Sequence, residues 1–254
     1  MDINLVLSGG GARGLAHLGM IKVIRESGFN IRKISGVSTG SVVGAFIAAG
    51  FSPEETLKVF VENNLMYQIR PVFNGGIFRL TKWEKILMES FPKNTFESLA
   101  IPLTVNVTDI NECKTVFINS GPLIRPLLAS CSIPGIFEPI VLGDRQCVDG
   151  GVLNNLPVEP FQGDSNKIIA LHVNPLIFEN EIDSAFIIFE RSVQLSIRDN
   201  TNERKKLAHI VLEPPGLSRF QIFDLNEAKA IFNIGYEYAK SRVMDIENIA
   251  MSTS

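Results

Sequence analysis

The chain has 254 residues, 45% of them hydrophobic, with 24 Lys and Arg against 27 Asp and Glu for a net charge of −3. That length encloses one sizeable core. The balanced charge, without a dense basic run, excludes a nucleic-acid partner, which would demand cations to displace phosphate counterions.

Three scattered cysteines, Cys113, Cys131 and Cys147, build neither a disulfide framework nor a paired zinc site, and they fit a reducing, cytoplasmic setting. The N-terminal MDINLVLSGG carries no cationic leader or cleavage site, so the mature protein is expected to begin at Met1. The longest apolar run, residues 42–51 (VVGAFIAAGF), falls far short of the roughly 20 residues of a spanning helix. Peripheral contact with a membrane stays open; spanning does not.

In chain order, residues 3–7 (INLVL) read as a short apolar strand, residues 8–13 as a glycine turn, and residues 14–27 as a helix with Leu15, Leu18, Ile21 and Ile24 on one face. A second strand at residues 31–37 leads into a small-residue helix at 39–49. Ser52, Pro53 and Glu55 then start another helix, with Ser52 as N-cap and Glu55 closing a capping box, running to about residue 63. Further strands are expected at 101–109, 114–120, 145–149, 168–174 and 209–213, and a final helix at about 226–244. Strands alternating with helices predict an α/β fold, with helices on both faces of a mostly parallel central sheet. No repeat or long linker divides residues 1–254, so a single domain is expected.

Gly36-Val37-Ser38-Thr39-Gly40 matches Gly-x-Ser-x-Gly, in which small neighbours allow a sharp strand-to-helix turn that presents a serine hydroxyl. Chance supplies this pattern in about one chain in ten of this size, but here a strand precedes it and a helix follows. The helix N-terminus would favour negative charge at the serine oxygen. Directly after the first strand, Gly9-Gly10-Gly11-Ala12-Arg13-Gly14 offers bare amides that can converge on an anion, as an oxyanion hole requires. Arg13 would add charge there or form a surface ion pair.

The same glycines fit a dinucleotide fingerprint, which demands an acidic residue ending the second strand. That strand, IRKISGVS, has none and ends in Ser38, and no Lys-Ser/Thr follows the glycines as a P-loop would need.

Ser38 needs a base. His17 lies inside the first helix, and His172 and His209 in strands or at their edges, so none has a convincing setting, although Ser38, Asp149 and His209 do follow the chain order of an α/β-hydrolase triad. Asp149-Gly150-Gly151 ends a strand, where a turn can hold a carboxylate beside open space or can simply be a turn. An unperturbed Asp, with a pKa of about 3.9, is a weak base unless its site excludes water.

Four blocks in order, LVLSGGGARGLAHLGMIKVI, GVSTGSVVGA, ASCSIPGIFEPI (129–140) and VDGGVLNNLP (148–157), resemble the patatin-like phospholipases of the bacterial, single-domain type. The resemblance implies a three-layer α/β/α acyl hydrolase with its motif-bearing core at about residues 3–210. It implies a Ser38–Asp149 dyad, an oxyanion loop at Gly10, Gly11 and Ala12 with Arg13 nearby, and motif glycines Gly9, Gly14, Gly36, Gly40, Gly150 and Gly151. It implies no metal and no cofactor, and a phospholipid, lysophospholipid or other fatty-acyl ester as substrate. In the third block, Ser132 and Pro134 are expected to shape the acyl pocket. Homo-oligomerisation is left open. Residues 65–80 (LMYQIRPVFNGGIFRL), aromatic and glycine-bearing, read either as a lipid-facing lid or module or as a partly buried loop.

Overall fold

The computed structural model describes residues 1–63, 80–178, 182 and 185–251. The strands are β1 (Asp2–Leu7), β2 (Asn30–Val37), β3 (Leu103–Asp109), β4 (Lys114–Ile118), β5 (Ile140–Leu142), β6 (Arg145–Asp149), β7 (Lys167–Leu171) and β8 (Ile210–Leu212). They form one sheet in the order β5-β6-β3-β2-β1-β7-β8, with β4 also paired to β3. The pairs from β3 through β8 along this order are parallel, and β4, β5 and β6 run antiparallel to their partners.

β1 is central because its apolar run is buried on both faces. Ile3, Leu5 and Leu7 enter the larger core, whereas Val6 joins Val158, Phe161, Ile168 and Ala170 on the opposite face. A strand that alternates between two buried layers reads as a continuous hydrophobic run. The result is a three-layer α/β fold with a mostly parallel central sheet.

The larger core is covered by α1 (Ala16–Glu26), α2 (Thr39–Ala48) and α3 (Pro53–Glu62), with α4 (Thr81–Ser90) and α5 (Ile124–Ser130) beyond. The remaining helices are α6 (Ala185–Ser196), α7 (Arg198–Lys205), α8 (Ala228–Ser241) and α9 (Val243–Met251). The expected capping box forms: Ser52 Oγ accepts from the Glu55 amide at 3.1 Å, and Glu55 Oε2 accepts from the Ser52 amide at 2.8 Å. Such a cap contributes about 1 kcal/mol.

Three expectations are corrected. The helix expected at 14–27 opens instead as a 3₁₀ turn, Gly11–Leu15, before α1 begins at Ala16. Gly11, at φ +56°, lies outside the α region, so the chain winds tightly through the glycines before it can propagate a helix. The helix expected at 226–244 breaks at Arg242 into α8 and α9, which lets Ile246 and Ile249 turn into the core. The short edge strand β5 was not expected; it pairs with β6 across a two-residue Gly143-Asp144 loop. Three residues are too few to show a period.

α8 is integral to the fold. A Cβ on Gly235 would lie 2.1 Å from the Ala16 carbonyl oxygen, and one on Gly19 would lie 2.1 Å from that of Phe232, so α1 and α8 touch backbone to backbone.

Candidate active site

The two ends that matter meet on one edge of β3. β2 pairs with β3 as far as Val37 opposite Asn106, and β6 takes over with Asp149 opposite the next residue, Val107. β4 pairs with Val105 through Asp109, overlapping both, and so occupies the other edge. Ser38, one residue beyond β2, is thereby brought to Asp149, the last residue of β6.

Ser38 sits at φ 52° and ψ −132°, a backbone conformation rare for a residue with a Cβ, and caps the start of α2. Strain of this kind costs on the order of 1–3 kcal/mol and persists only where surroundings enforce it. Here they do. The Ser38 amide donates to Ser130 Oγ at 2.8 Å, Ser130 Oγ donates to the Asn106 carbonyl at 2.7 Å, and Ser41 Oγ donates to the Ser38 carbonyl at 2.7 Å. Gly36 and Gly40 give the turn its space, since a Cβ on Gly36 would lie 2.7 Å from the Gly40 carbonyl oxygen.

Ser38 and Asp149 line the same cavity, with the serine hydroxyl near enough to the carboxylate to pull its pKa down. Asp149 Oδ1 accepts from the Gly151 amide at 2.8 Å, and its own amide donates to the Ser132 carbonyl at 2.9 Å. Burial pushes its pKa up to about 6, against the opposing pull of Ser38 and of the Gly151 amide. The carboxylate is therefore a stronger base than a free Asp, and it is still ionised at neutral pH. Gly150 packs against Asn106, where a Cβ would come within 2.4 Å of the carbonyl oxygen. Burial and then the charge of Asp149 push the Cys131 thiol well above the usual range, so it stays protonated.

The glycine turn faces this pair. A Cβ on Gly9 would lie 3.0 Å from Ser38 Cβ, and one on Gly14 would lie 2.6 Å from a Thr39 methyl. The Gly9 peptide is held from both sides: its amide donates to Asn155 Oδ1 at 3.1 Å, and its carbonyl accepts from Asn174 Nδ2 at 2.6 Å. Among the described hydrogen bonds, the Gly10 and Gly11 amides donate to nothing. The Ala12 amide, expected as a third donor, is instead committed to the Ile222 carbonyl at 2.7 Å, so the available pair narrows to Gly10 and Gly11.

Arg13 makes no surface ion pair. Its guanidinium is buried and meets Glu190 of α6 at 2.5 Å, holding that helix over the turn. The histidines lie elsewhere. His17 Nε2 donates to the Ser8 carbonyl, His172 Nδ1 donates to Glu213, and His209 Nδ1 accepts from the Ile168 amide. Burial lowers the pKa of His17 to about 4.

Ser38 and Asp149 open onto a cavity of about 340 Å³ whose walls include Ile133, Pro134, Ile136, Val152, Phe189 and Ile197. Pro134 lines it as expected. Ser132 does not: its hydroxyl is tied to the Leu128 carbonyl at 2.9 Å, and it acts through its backbone on Asp149. A polar crevice of about 220 Å³ shares Asn155, Asn174, Gln194 and Ile197 with that cavity and adds His172, Arg198 and Lys205. Ser130, Asn155 and Asn174 were not singled out from sequence, although the first two stand inside the quoted blocks. Residues 65–79, read as a lid or lipid-facing segment, lie outside the described residues.

A family model described as patatin-like phospholipase matches residues 5–161, more than half of the chain. The chain belongs to the patatin-like phospholipase family. Within it, the chain is 35% identical to an uncharacterized NTE family protein of Mycobacterium tuberculosis, over 68% of this chain and 49% of that one. It is 28% identical to the lysophospholipase NTE1 of Kluyveromyces lactis, over 93% of this chain and 19% of that one. It is 25% identical to the human patatin-like phospholipase domain-containing protein 6, over 94% and 20%. The chain thus spans about half, or less, of the length of these curated relatives. The patatin-like fold agrees with that of VipD from Legionella pneumophila, with a TM-score of 0.60 at 14% identity over 96% of this chain and 67% of that one. Among the described residues, no helix of this patatin-like chain is long and apolar enough to cross a membrane.

Proposed function

We propose that the protein is a lipid acyl hydrolase that cleaves carboxylic esters of fatty acids through a Ser38–Asp149 dyad. The observation that carries this reading is the meeting of Ser38 and Asp149, a buried carboxylate whose pKa is raised to about 6, in the wall of one largely apolar cavity.

In the first half-reaction Asp149 takes the Ser38 proton as Oγ bonds to the ester carbonyl carbon. The amides of Gly10 and Gly11, aided by the N-terminus of α2, hold the negative oxygen of the tetrahedral intermediate. Collapse breaks the ester C–O bond, and the departing alkoxide receives the proton from Asp149. Water, deprotonated in turn by Asp149, attacks the acyl-enzyme; collapse breaks the Ser38 Oγ–C bond, Oγ takes the proton back from Asp149, and the fatty acid is released. One donor of an oxyanion hole contributes about 3 kcal/mol to the transition state, so two account for a large part of the rate.

The finer reading is a phospholipid or lysophospholipid substrate met at a peripheral membrane contact. An apolar cavity for the acyl chain beside a polar crevice bearing Arg198 and Lys205 suits a molecule with a charged head, and one relative is named a lysophospholipase. Three free thiols support a reducing, cytoplasmic location, and we take residues 1–254 as one domain.

A fluorophosphonate tests the reading. Mass spectrometry is expected to find the adduct on Ser38, and a panel of lysophospholipid, phospholipid, monoacylglycerol and soluble ester is expected to lose turnover on labelling. Turnover that survives full labelling of Ser38 sinks it.

A further inference from the structure

Between residues 187 and 195, α6 exposes large apolar side chains and half-buries charged ones. Ile187, Glu190, Arg191 and Gln194 face inward, half-buried, while Ile188, Phe189, Val193 and Leu195 face outward and are exposed. An ordinary surface helix does the opposite. The arrangement has a local cause: Glu190 is turned in to meet the buried Arg13, Gln194 Nε2 donates to Glu190 at 2.8 Å, and Arg191 donates to the Ile177 carbonyl. With Glu190, Arg191 and Gln194 committed inward, Ile188, Phe189, Val193 and Leu195 are left exposed. The segment tied to the helix by Arg191 adds Ile177 and Phe178, the latter 84% exposed. Six of the fourteen exposed large hydrophobic residues among those described fall between residues 177 and 195. Such a concentration of exposed apolar side chains on one helix and the segment tied to it points to an interaction surface rather than ordinary exposure.

We propose that this face, α6 with Ile177 and Phe178, is the surface by which the protein docks on a lipid bilayer. The inference rests on the acyl-hydrolase reading, and continuity with the site selects the occupant. Phe189 and Val193 belong both to the exposed face and to the wall of the cavity above Ser38. A bilayer seated there delivers an acyl chain directly along the wall to the nucleophile, whereas a protein partner or a second copy would close that mouth.

The test uses the full chain with Phe178→Ser, Ile188→Ser and Leu195→Ser combined, none of which lines the cavity. Flotation with phosphatidylcholine vesicles is expected to fall about tenfold or more, while hydrolysis of a water-soluble short-chain ester stays at the wild-type rate. A separate Phe178→Trp variant is expected to shift its emission to the blue when vesicles are added; the one native tryptophan, Trp83, is buried and contributes a constant background. Equal flotation of wild type and triple variant, no flotation of either, or an unmoved Phe178→Trp spectrum would each overturn the docking surface. A wild-type dimer that the triple variant dissociates, with vesicle binding unchanged, would assign the face to a second copy instead. Loss of soluble-ester turnover from both proteins would count against the hydrolase reading, a result distinct from any of these.

Discussion

The floor and the roof of the cavity are built on opposite principles. On the floor, Ser130 braces the strained serine, Ser132 and Gly151 hold the aspartate, and Asn155 and Asn174 pin Gly9, which leaves the Gly10 and Gly11 amides open. On the roof, α6 commits Glu190 to Arg13 and leaves Ile188, Phe189, Val193 and Leu195 exposed. The floor is held by bonds from within the chain, and the roof is the face proposed to meet a bilayer. Catalysis needs the first property, and capture of a water-insoluble substrate needs the second.

The largest effect that can break this contrast comes from the floor. Ser38→Ala is expected to lower kcat by roughly 10⁴-fold or more with the fold intact, as measured by steady-state hydrolysis and a thermal melt; residual turnover near wild type would remove the nucleophile from the scheme.

Asp149→Asn should cost nearly as much activity yet raise stability. Folding lifts the Asp149 pKa from 3.8 to about 6, so burying the carboxylate opposes folding fully above pH 6, and the penalty is relieved as pH falls from 6 toward 4. At pH 8 the neutral side chain is therefore expected to stabilise the protein by about 2 kcal/mol, read from denaturant unfolding. Destabilisation instead would mean that the carboxylate organises the floor rather than straining it.

The same ionisation sets the pH profile with the opposite sign. Only unprotonated Asp149 can accept the Ser38 proton, so kcat/KM should be flat above pH 7 and fall about tenfold per unit below pH 6. A profile whose midpoint lies near 4 would place the base in a wetter environment.

Asn155→Ala frees the Gly9 amide and lets the donor loop drift. It is expected to reduce kcat by about tenfold while leaving KM little changed. On the roof, Leu195→Gln should shift unfolding free energy by no more than about 0.5 kcal/mol, because the side chain already faces solvent. A larger loss would show that α6 is covered from within and would erase the contrast.

Local chemistry was legible residue by residue. The capping box of α3, the elbow at Ser38 and the acidic turn at Asp149 each depend on neighbours within a few positions, where steric and hydrogen-bonding preferences are written in the residue types themselves. The fate of Ala12 and Arg13 was not legible, because Ile222 and Glu190, which claim them, are far along the chain. The exposed apolar face of α6 was equally hidden: its spacing allows a helix, but which side turns inward depends on a buried guanidinium that only the assembled fold supplies.

By itself, then, the sequence determined the α/β class, the family and the residue types at the two ends proposed to carry the chemistry, since period, turn residues and motif spacing are local properties of the chain. Only the tertiary structure decided that β2 and β6 end side by side on one edge of β3, that two amides of the glycine turn rather than three are open, and that an apolar helix face is left outside. Those outcomes follow from pairing register and from competition for buried partners, both of which exist only once distant segments have met.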